Sequence, residues 1–497
     1  MSYHALMPVL VILSSLVPGL IIFGLAERRT RLRTTLNIAA ALTKLALVAM
    51  ITAGVLQREQ FQTSIPFLPG ADFLLRADSF SLLFVTLSTV LWLVTTIYAV
   101  GYLEGSPNRS RFFGFFSLSV AATMGIALAG NLVTFFVFYE LLTLSTYPLV
   151  VHGGTPESLA AGGRYLRYTF AGGALLLVGI AALYAFAGPS DFTHGGALAS
   201  VAEAHYPAVW IAIFALLMAG LGVKAAILPL HAWLPAAMIA PAPVSALLHA
   251  VAVVKAGAFG ITRVIYEVYG IRFADRLGLM TPLAVVAAVT VVYGSVKALA
   301  QTDLKRRLAY STVSQVSFIV LGAAIVGTVS TIGAIAHLAH QGLMKITLFF
   351  CAGNLASELH VHRVDEVRGV GRRLPWTMVA FTIGALGMIG IPPIAGFVTK
   401  WYLGAGAVEA GQPWIIAILL ASSLLNAAYL LPIVYDAWFR APAQPWPPRA
   451  GRHEIDPWLL APTLAAAALA VAAGVFAGTS LSPLGWATRI AQEELGG

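Results

Sequence analysis

Five lysines, Lys44, Lys224, Lys255, Lys345 and Lys400, fall inside long apolar stretches, and by the same reading none of the 23 arginines does. A purely structural need for buried positive charge would often be met by arginine, whose guanidinium grips carboxylate bidentately. Lysine differs because, once desolvated, it can exchange its proton near neutral pH. Placing only the titratable cation in these stretches points to changes of protonation. Glu140, within residues 135–142, is the acid read as lying deep in a span, with Lys224 as its expected partner. An intramembrane charge costs roughly 2.5–3.5 kcal/mol on insertion scales, so it must face a partner or a wet cavity.

The histidines extend the set. His249 and Lys255 share a stretch but, at ~100° per residue, not one helix face. His337 and His340 share a face at i, i+3, and Lys345 returns towards His337 at i+8. No carboxylate or cysteine lies near this pair in the sequence, so a hydrogen-bonded proton relay is expected rather than a metal site. Lys400 ends the row. Lys44, on an early peripheral span, reads as snorkelling or pairing. The run Asp303-Leu304-Lys305-Arg306-Arg307 reads as a solvated topology anchor.

Such residues need a scaffold that holds them in lipid. The chain is 59% hydrophobic and only 10% charged, with a mean hydropathy of +0.84. Runs of ~20 apolar residues recur throughout, each long enough to cross a ~30 Å hydrocarbon core. They must be helices, because a barrel would show period-2 alternation. An all-α membrane protein is expected, with spans near 5–25, 35–56, 78–101, 111–129, 131–151, 166–188, 207–228, 243–266, 280–300, 310–328, 330–353, 376–400, 413–436 and 457–478. That makes about fourteen transmembrane helices.

Two of the spans are broken by proline, at Leu228-Pro229 and at Ile391-Pro392-Pro393, and each break lies within two turns of a membrane lysine. Interrupted helices of this kind line polar cavities in transporters. The breaks fall at comparable places in spans four to eight and nine to thirteen, which hints at an internal repeat. The expected organisation is residues 1–110 (helices one to three), 111–268 and 269–440 (the two five-helix units) and 441–497 (helix fourteen).

The formal charge of +9 reflects loop arginines, not a nucleic-acid surface. With the N-terminus outside, inner loops hold nineteen basic residues, among them Arg449 and Arg452, and outer segments hold six, including Arg263. That asymmetry places both termini outside. The first apolar run has its basic cluster after it, as expected of a retained span rather than a cleaved signal. Cys351 is the single cysteine. It excludes internal disulfides and cysteine-ligated clusters, and no nucleotide-binding motif appears. No cofactor or metal is therefore expected in this chain, and energy-yielding chemistry is expected on other membrane subunits.

Together these segments resemble the antiporter-like proton-pump family: the D and A components of multi-subunit sodium/proton antiporters, the L, M and N membrane components of respiratory complex I, and membrane-bound hydrogenase homologues. The matching pieces, across residues 70–440, are Tyr139-Glu140, Lys224 with Pro229-Leu230-His231-Ala232-Trp233-Leu234-Pro235, residues 240–249, residues 303–311, and Gly390-Ile391-Pro392-Pro393 with Gly396, Phe397 and Lys400. The resemblance implies two inverted five-helix repeats, each with a broken helix. It also implies a Glu/Lys/His axis. Glu140 and Lys224 match the family's essential pair, Lys255, Lys345 and Lys400 its axis and exit, and His249, His337 and His340 its connecting residues.

This chain departs from the pattern at Ala236, where the family usually has an acid, at Lys400 (glutamate in the M component) and at Lys255 (a different residue in L), and it lacks the long lateral helix of L. The D component of an antiporter moving H⁺, with Na⁺ or K⁺ as the exchanged ion, is the leading expectation. N- or M-like complex I subunits and a hydrogenase subunit are the alternatives. A quinone-binding catalytic subunit, a self-sufficient antiporter and an inert scaffold are the rivals from other classes.

Overall fold

A computed structural model describes residues 2–199, 207–442, 445–446 and 454–496. Arg449 and Arg452 lie outside them. The chain is a helical bundle. In order it runs α1 (Tyr3–Phe23), α2 (Thr30–Leu56), strands β1 (Phe61–Leu68) and β2 (Ala71–Ala77), then α3 (Ser79–Tyr102), α4 (Arg109–Leu128), α5 (Leu132–Val150) and α6 (Pro156–Ala187). After these come α7 (Pro207–Lys224), α8 (Ala242–Tyr269), α9 (Met280–Leu299), α10 (Leu304–Ala324) and α11 (Thr328–Leu359). The last are α12 (Pro375–Ile389), α13 (Ala395–Glu409), α14 (Trp414–Phe439), α15 (Pro457–Val475) and α16 (Pro483–Leu495).

Among the described residues, eleven helices are long and apolar enough to cross a membrane. All fourteen expected segments coincide with helix, the twelfth split between α12 and α13. The segments outside the eleven are α10, α11 and the split α12/α13, which carry the polar residues or the break.

Local chemistry sets the helix starts. Asp78 caps α3 by accepting from Ser81 N at 2.7 Å, and the Ser81 hydroxyl accepts from Asp78 N in return. Thr155 caps α6 ahead of Pro156, and Asn131 caps α5. Two features depart from expectation. The segment before α3 is an antiparallel hairpin, with Phe61 opposite Ala77 and Gly70 taking a positive φ at the turn. The run around Asp303 is not a solvated anchor. Asp303 caps α10, Lys305 donates to Ala240 O at 2.8 Å, and Arg307, 8% exposed, donates to Gln301 O and Tyr429 O, each at 2.9 Å. It fastens the end of α9 to α14.

Helix α11 is the centre of the bundle. It has 32 residues, about 48 Å at 1.5 Å per residue, and every residue from Ser330 to Leu355 is buried. It packs against α3, α8, α10, α12, α13, α15 and α16.

Candidate functional site

The first break delivers Lys224. Helix α7 ends at that residue and helix resumes only at Trp233. The indole of Trp233 donates to Val223 O at 2.7 Å, a carbonyl that also accepts from Ala226 N at 3.1 Å, and so ties the two sides of the break together. Lys224 is fully buried; its ammonium donates to the Tyr139 carbonyl and lies 3.3 Å from the centroid of the Tyr139 ring. Glu140, next along α5, is only half-buried, and its Oε1 has no hydrogen-bond partner among the described residues. Glu140 and Lys224 share an electrostatic environment but make no ion pair, contrary to the expected pairing. Tyr139 takes the place of the carboxylate.

Helix α8 carries the row inward. Its Gly257 lets the α8 backbone approach the break so closely that a Cβ there would lie 2.2 Å from Ala225 N. Residues 247–251 and 264–269 are π-helical turns, a rare geometry that recurs at functional sites. The 3.6-residue period used for His249 and Lys255 therefore does not apply there. His249 Nε2 lies 3.2 Å from Met238 Sδ and its ring stacks on Phe349. The Lys255 ammonium is fully buried with no hydrogen-bond partner among the described residues.

Helix α11 supplies the second half. His337 Nε2 lies 3.1 Å from Gln315 O, and His340 Nδ1 lies 2.8 Å from Thr399 Oγ1. Lys345 donates to Leu308 O at 3.2 Å and to the Ser311 hydroxyl. At the second break, Lys400 reaches back to Met388 O at 3.2 Å, Ile389 O at 2.7 Å and Ser423 Oγ at 2.7 Å. These carbonyls are those that α12 leaves unsatisfied where it stops.

Lys255 lies close enough to His337, His340 and Lys345 to influence each electrostatically, as do His337 and His340, His337 and Lys400, and His249 and Lys345. None of the eight predicted side chains hydrogen-bonds to another among the described residues. Main-chain carbonyls of Tyr139, Leu308, Gln315, Met388 and Ile389 and the hydroxyls of Ser311, Thr399 and Ser423 fill the gaps instead. The carbonyls leave no mark in the sequence, and of the three hydroxyls only Thr399 adjoins a predicted residue, Lys400.

Three placements correct the sequence reading. Lys44 does not snorkel; it is fully buried, donates to Ser15 Oγ at 2.7 Å and lies 4.4 Å from the Trp92 ring centroid. Arg263 is no outer-loop residue: α8 extends to Tyr269 and buries it completely. Glu140 is not the one acid within a span, since Glu267, 1% exposed, pairs with Arg263 one turn away. The i, i+4 spacing of Arg263 and Glu267 was the available clue.

A family model described as NADH:quinone oxidoreductase/Mrp antiporter, TM, matches residues 129–426, more than half of the 497-residue chain. The chain belongs to this family. A second model, complex I chain 5 N-terminus, matches residues 70–113 of this antiporter-family chain. The N component of the NADH-quinone oxidoreductase of Desulforudis audaxviator is 37% identical over 400 residues, covering 77% of this chain and 78% of that one. The D component of the Na(+)/H(+) antiporter of Bacillus subtilis is 30% identical over 404 residues, covering 80% and 81%. A chain of the Mrp complex from Dietzia sp. DQ12-45-1b superposes with a TM-score of 0.87 at 25% identity, covering 100% of this family member and 98% of that chain.

Proposed function

We propose that this chain is the proton-translocating, antiporter-like membrane subunit of a multi-subunit cation/proton antiporter. The observation that carries the reading is the row of buried Lys224, Lys255 and Lys345 and half-buried Lys400, interleaved with His249, His337 and His340. No carboxylate is hydrogen-bonded to any of these lysines among the described residues, and Lys224, Lys345 and Lys400 are held by carbonyls, hydroxyls and a ring. Neutral partners leave a lysine free to gain and lose its proton, whereas a tight carboxylate would fix the charge. Buried nitrogens without partners among the described residues, Lys255 Nζ, His337 Nδ1 and His340 Nε2, are points where a proton in transit can be taken up or handed on.

A proton enters from the inner face to Lys224, moves through Lys255, His337 or His340 and Lys345, and leaves near Lys400. Glu140 tunes Lys224 through space. It sits on an outward stripe of α5 with Val137 and Leu144, which are 36% and 54% exposed. A neighbouring membrane subunit covering that stripe would shift the charge balance at Lys224 and so couple its work to this chain. The two broken helices support reading residues 111–268 and 269–440 as inverted repeats. The basic-residue asymmetry supports both termini outside, in a cell membrane.

The 37% identity to an oxidoreductase N component favours one second reading, a proton-pumping N- or M-like subunit of an NADH-quinone oxidoreductase; a hydrogenase subunit is the third member of that class. Transport by the reconstituted complex is the test. Glu140→Ala and Lys224→Ala should each cut proton movement at least about tenfold, a barrier rise of about 1.4 kcal/mol. Undiminished transport in both would overturn the mechanism. The subunits that co-purify decide between the antiporter and oxidoreductase readings.

A further inference from the structure

A second cluster lies apart from the lysine row, where the segment after α6, the far end of α8, the start of α3 and the C-terminal helix α16 meet. Arg263 holds Asp78 through two bonds of 2.9 and 3.0 Å and also binds Glu267 Oε1. Glu267 Oε2 is left buried and without a hydrogen-bond partner among the described residues. Helix α16 brings in Glu494, whose side chain is fully buried; its Oε1 lies 2.6 Å from His194 Nδ1 and its Oε2 3.4 Å from Gly195 N. Ligand atoms of His194, Glu267 and Glu494 all lie within 4.8 Å of one another.

Charge counting sharpens the point. Asp78, Glu267 and Glu494 bring three negative charges, and Arg263 with Arg76 (3.9 Å from Asp78) brings two positive ones. His194, hydrogen-bonded to Glu494, is held protonated up to about 9 and supplies the third positive charge. That proton still leaves Glu267 Oε2 buried without a partner among the described residues. A divalent ion on the neutral imidazole would replace the proton and reach both carboxylates. We propose that His194, Glu267 and Glu494 form a binding site for a divalent first-row transition ion of the zinc type, which ties α16 to α8 and to the segment after α6.

One imidazole nitrogen and two carboxylate oxygens make a mixed donor set that suits zinc with a water as fourth ligand, and is too small for calcium. Tetrahedral zinc with bonds of ~2.0–2.2 Å sets its ligands about 3.4 Å apart. The separations of up to 4.8 Å must therefore shorten by up to about 1.4 Å, while the 2.6 Å contact of His194 with Glu494 opens by about 0.8 Å. His194, 52% exposed, gives the ion its way in from solvent and is the ligand freest to move.

The test uses the full chain, purified with its complex, stripped with a chelator and titrated with Zn²⁺ against a competing chromophore. One Zn²⁺ per chain should bind at this site and raise the melting temperature. His194→Ala, an exposed change that leaves the core intact, and Glu494→Gln should each weaken binding by at least about tenfold, the lower range seen when even an outer partner of a metal site is removed. Co²⁺ should give the visible absorption of a tetrahedral nitrogen/oxygen site in the unaltered chain and lose it in His194→Ala. Zn²⁺ binding and thermal stabilisation unchanged by His194→Ala would overturn the proposal, as would the absence of binding to the unaltered chain.

Discussion

His340 Nδ1 lies 2.8 Å from Thr399 Oγ1, so the central helix α11 touches the second broken helix one residue before Lys400. Both groups are buried, and the hydroxyl can donate or accept as the imidazole changes its protonation.

Thr399→Val keeps the volume and removes that hydroxyl. Transport by the reconstituted complex should fall about tenfold, equivalent to about 1.4 kcal/mol of barrier, while Thr399→Ser should retain it. A valine variant that transports normally would show that His340 and Lys400 need no link at this point.

Gly173 of α6 tests the other end of the row. A Cβ placed there would lie 2.4 Å from Glu140 Oε1, the tip of a side chain that can swing away. Gly173→Ala should therefore fold, displace the carboxylate and lower transport. Combined with Glu140→Ala it should cause no further loss, because both changes act through one group. Additive losses from the pair would disprove the shared route.

Asp78 and Arg263 carry a pH expectation. Burial pushes the Asp78 carboxyl up, but the Arg263 guanidinium beside it, with Ser81 N and Arg76, outweighs burial and holds it down at about 2. A depressed carboxyl stabilises the fold above its unfolded value of about 3.9, and that contribution disappears as pH falls through about 2. Melting curves should show this acid-side loss, and Asp78→Asn should remove it. At neutral pH, Asp78→Asn should destabilise by about 2–3 kcal/mol, the contribution of a carboxyl held at about 2, because Arg263 keeps Glu267 as a partner.

Arg307→Ala should lower stability by about 2–3 kcal/mol, since the side chain's bonds to carbonyl groups at the end of α9 and on α14 go with it. Thermal unfolding in detergent is the measurement. A fully solvated arginine would give a change near zero.

Most of the scaffold was legible because lipid permits so few solutions. An apolar run of ~20 residues has to be a helix, and each expected segment is one. The breaks after Lys224 and Ile389 were legible because proline frees a backbone carbonyl and disfavours helix, and each proline site lies within two turns of a membrane lysine. Proline alone does not decide it, since Pro18 and Pro432 lie inside α1 and α14. The β1–β2 hairpin was not, since it lies outside the apolar runs and its alternation is short.

Individual chemistry was legible by type but not by contact. Lys224 stood out as a buried lysine, yet its bond to the Tyr139 carbonyl depends on how α5 crosses the end of α7, which no local pattern encodes. Glu267 was misplaced because the span was ended three residues early, and Arg263, inside the span as drawn, was counted with the outer segment instead. His249 and Lys255 could not be phased because π-helical turns reset the helical period.

The half-buried position of Glu140 bears on biogenesis as well as transport. A lone chain leaves this carboxylate half-buried beside the exposed Val137 and Leu144, its Oε1 buried without a hydrogen-bond partner among the described residues. An ionised group in that position costs a few kcal/mol. The residue that would tune the first lysine thus also marks an orphan subunit as incomplete, and gives the membrane's quality-control proteases a physical basis for telling assembled copies from unassembled ones.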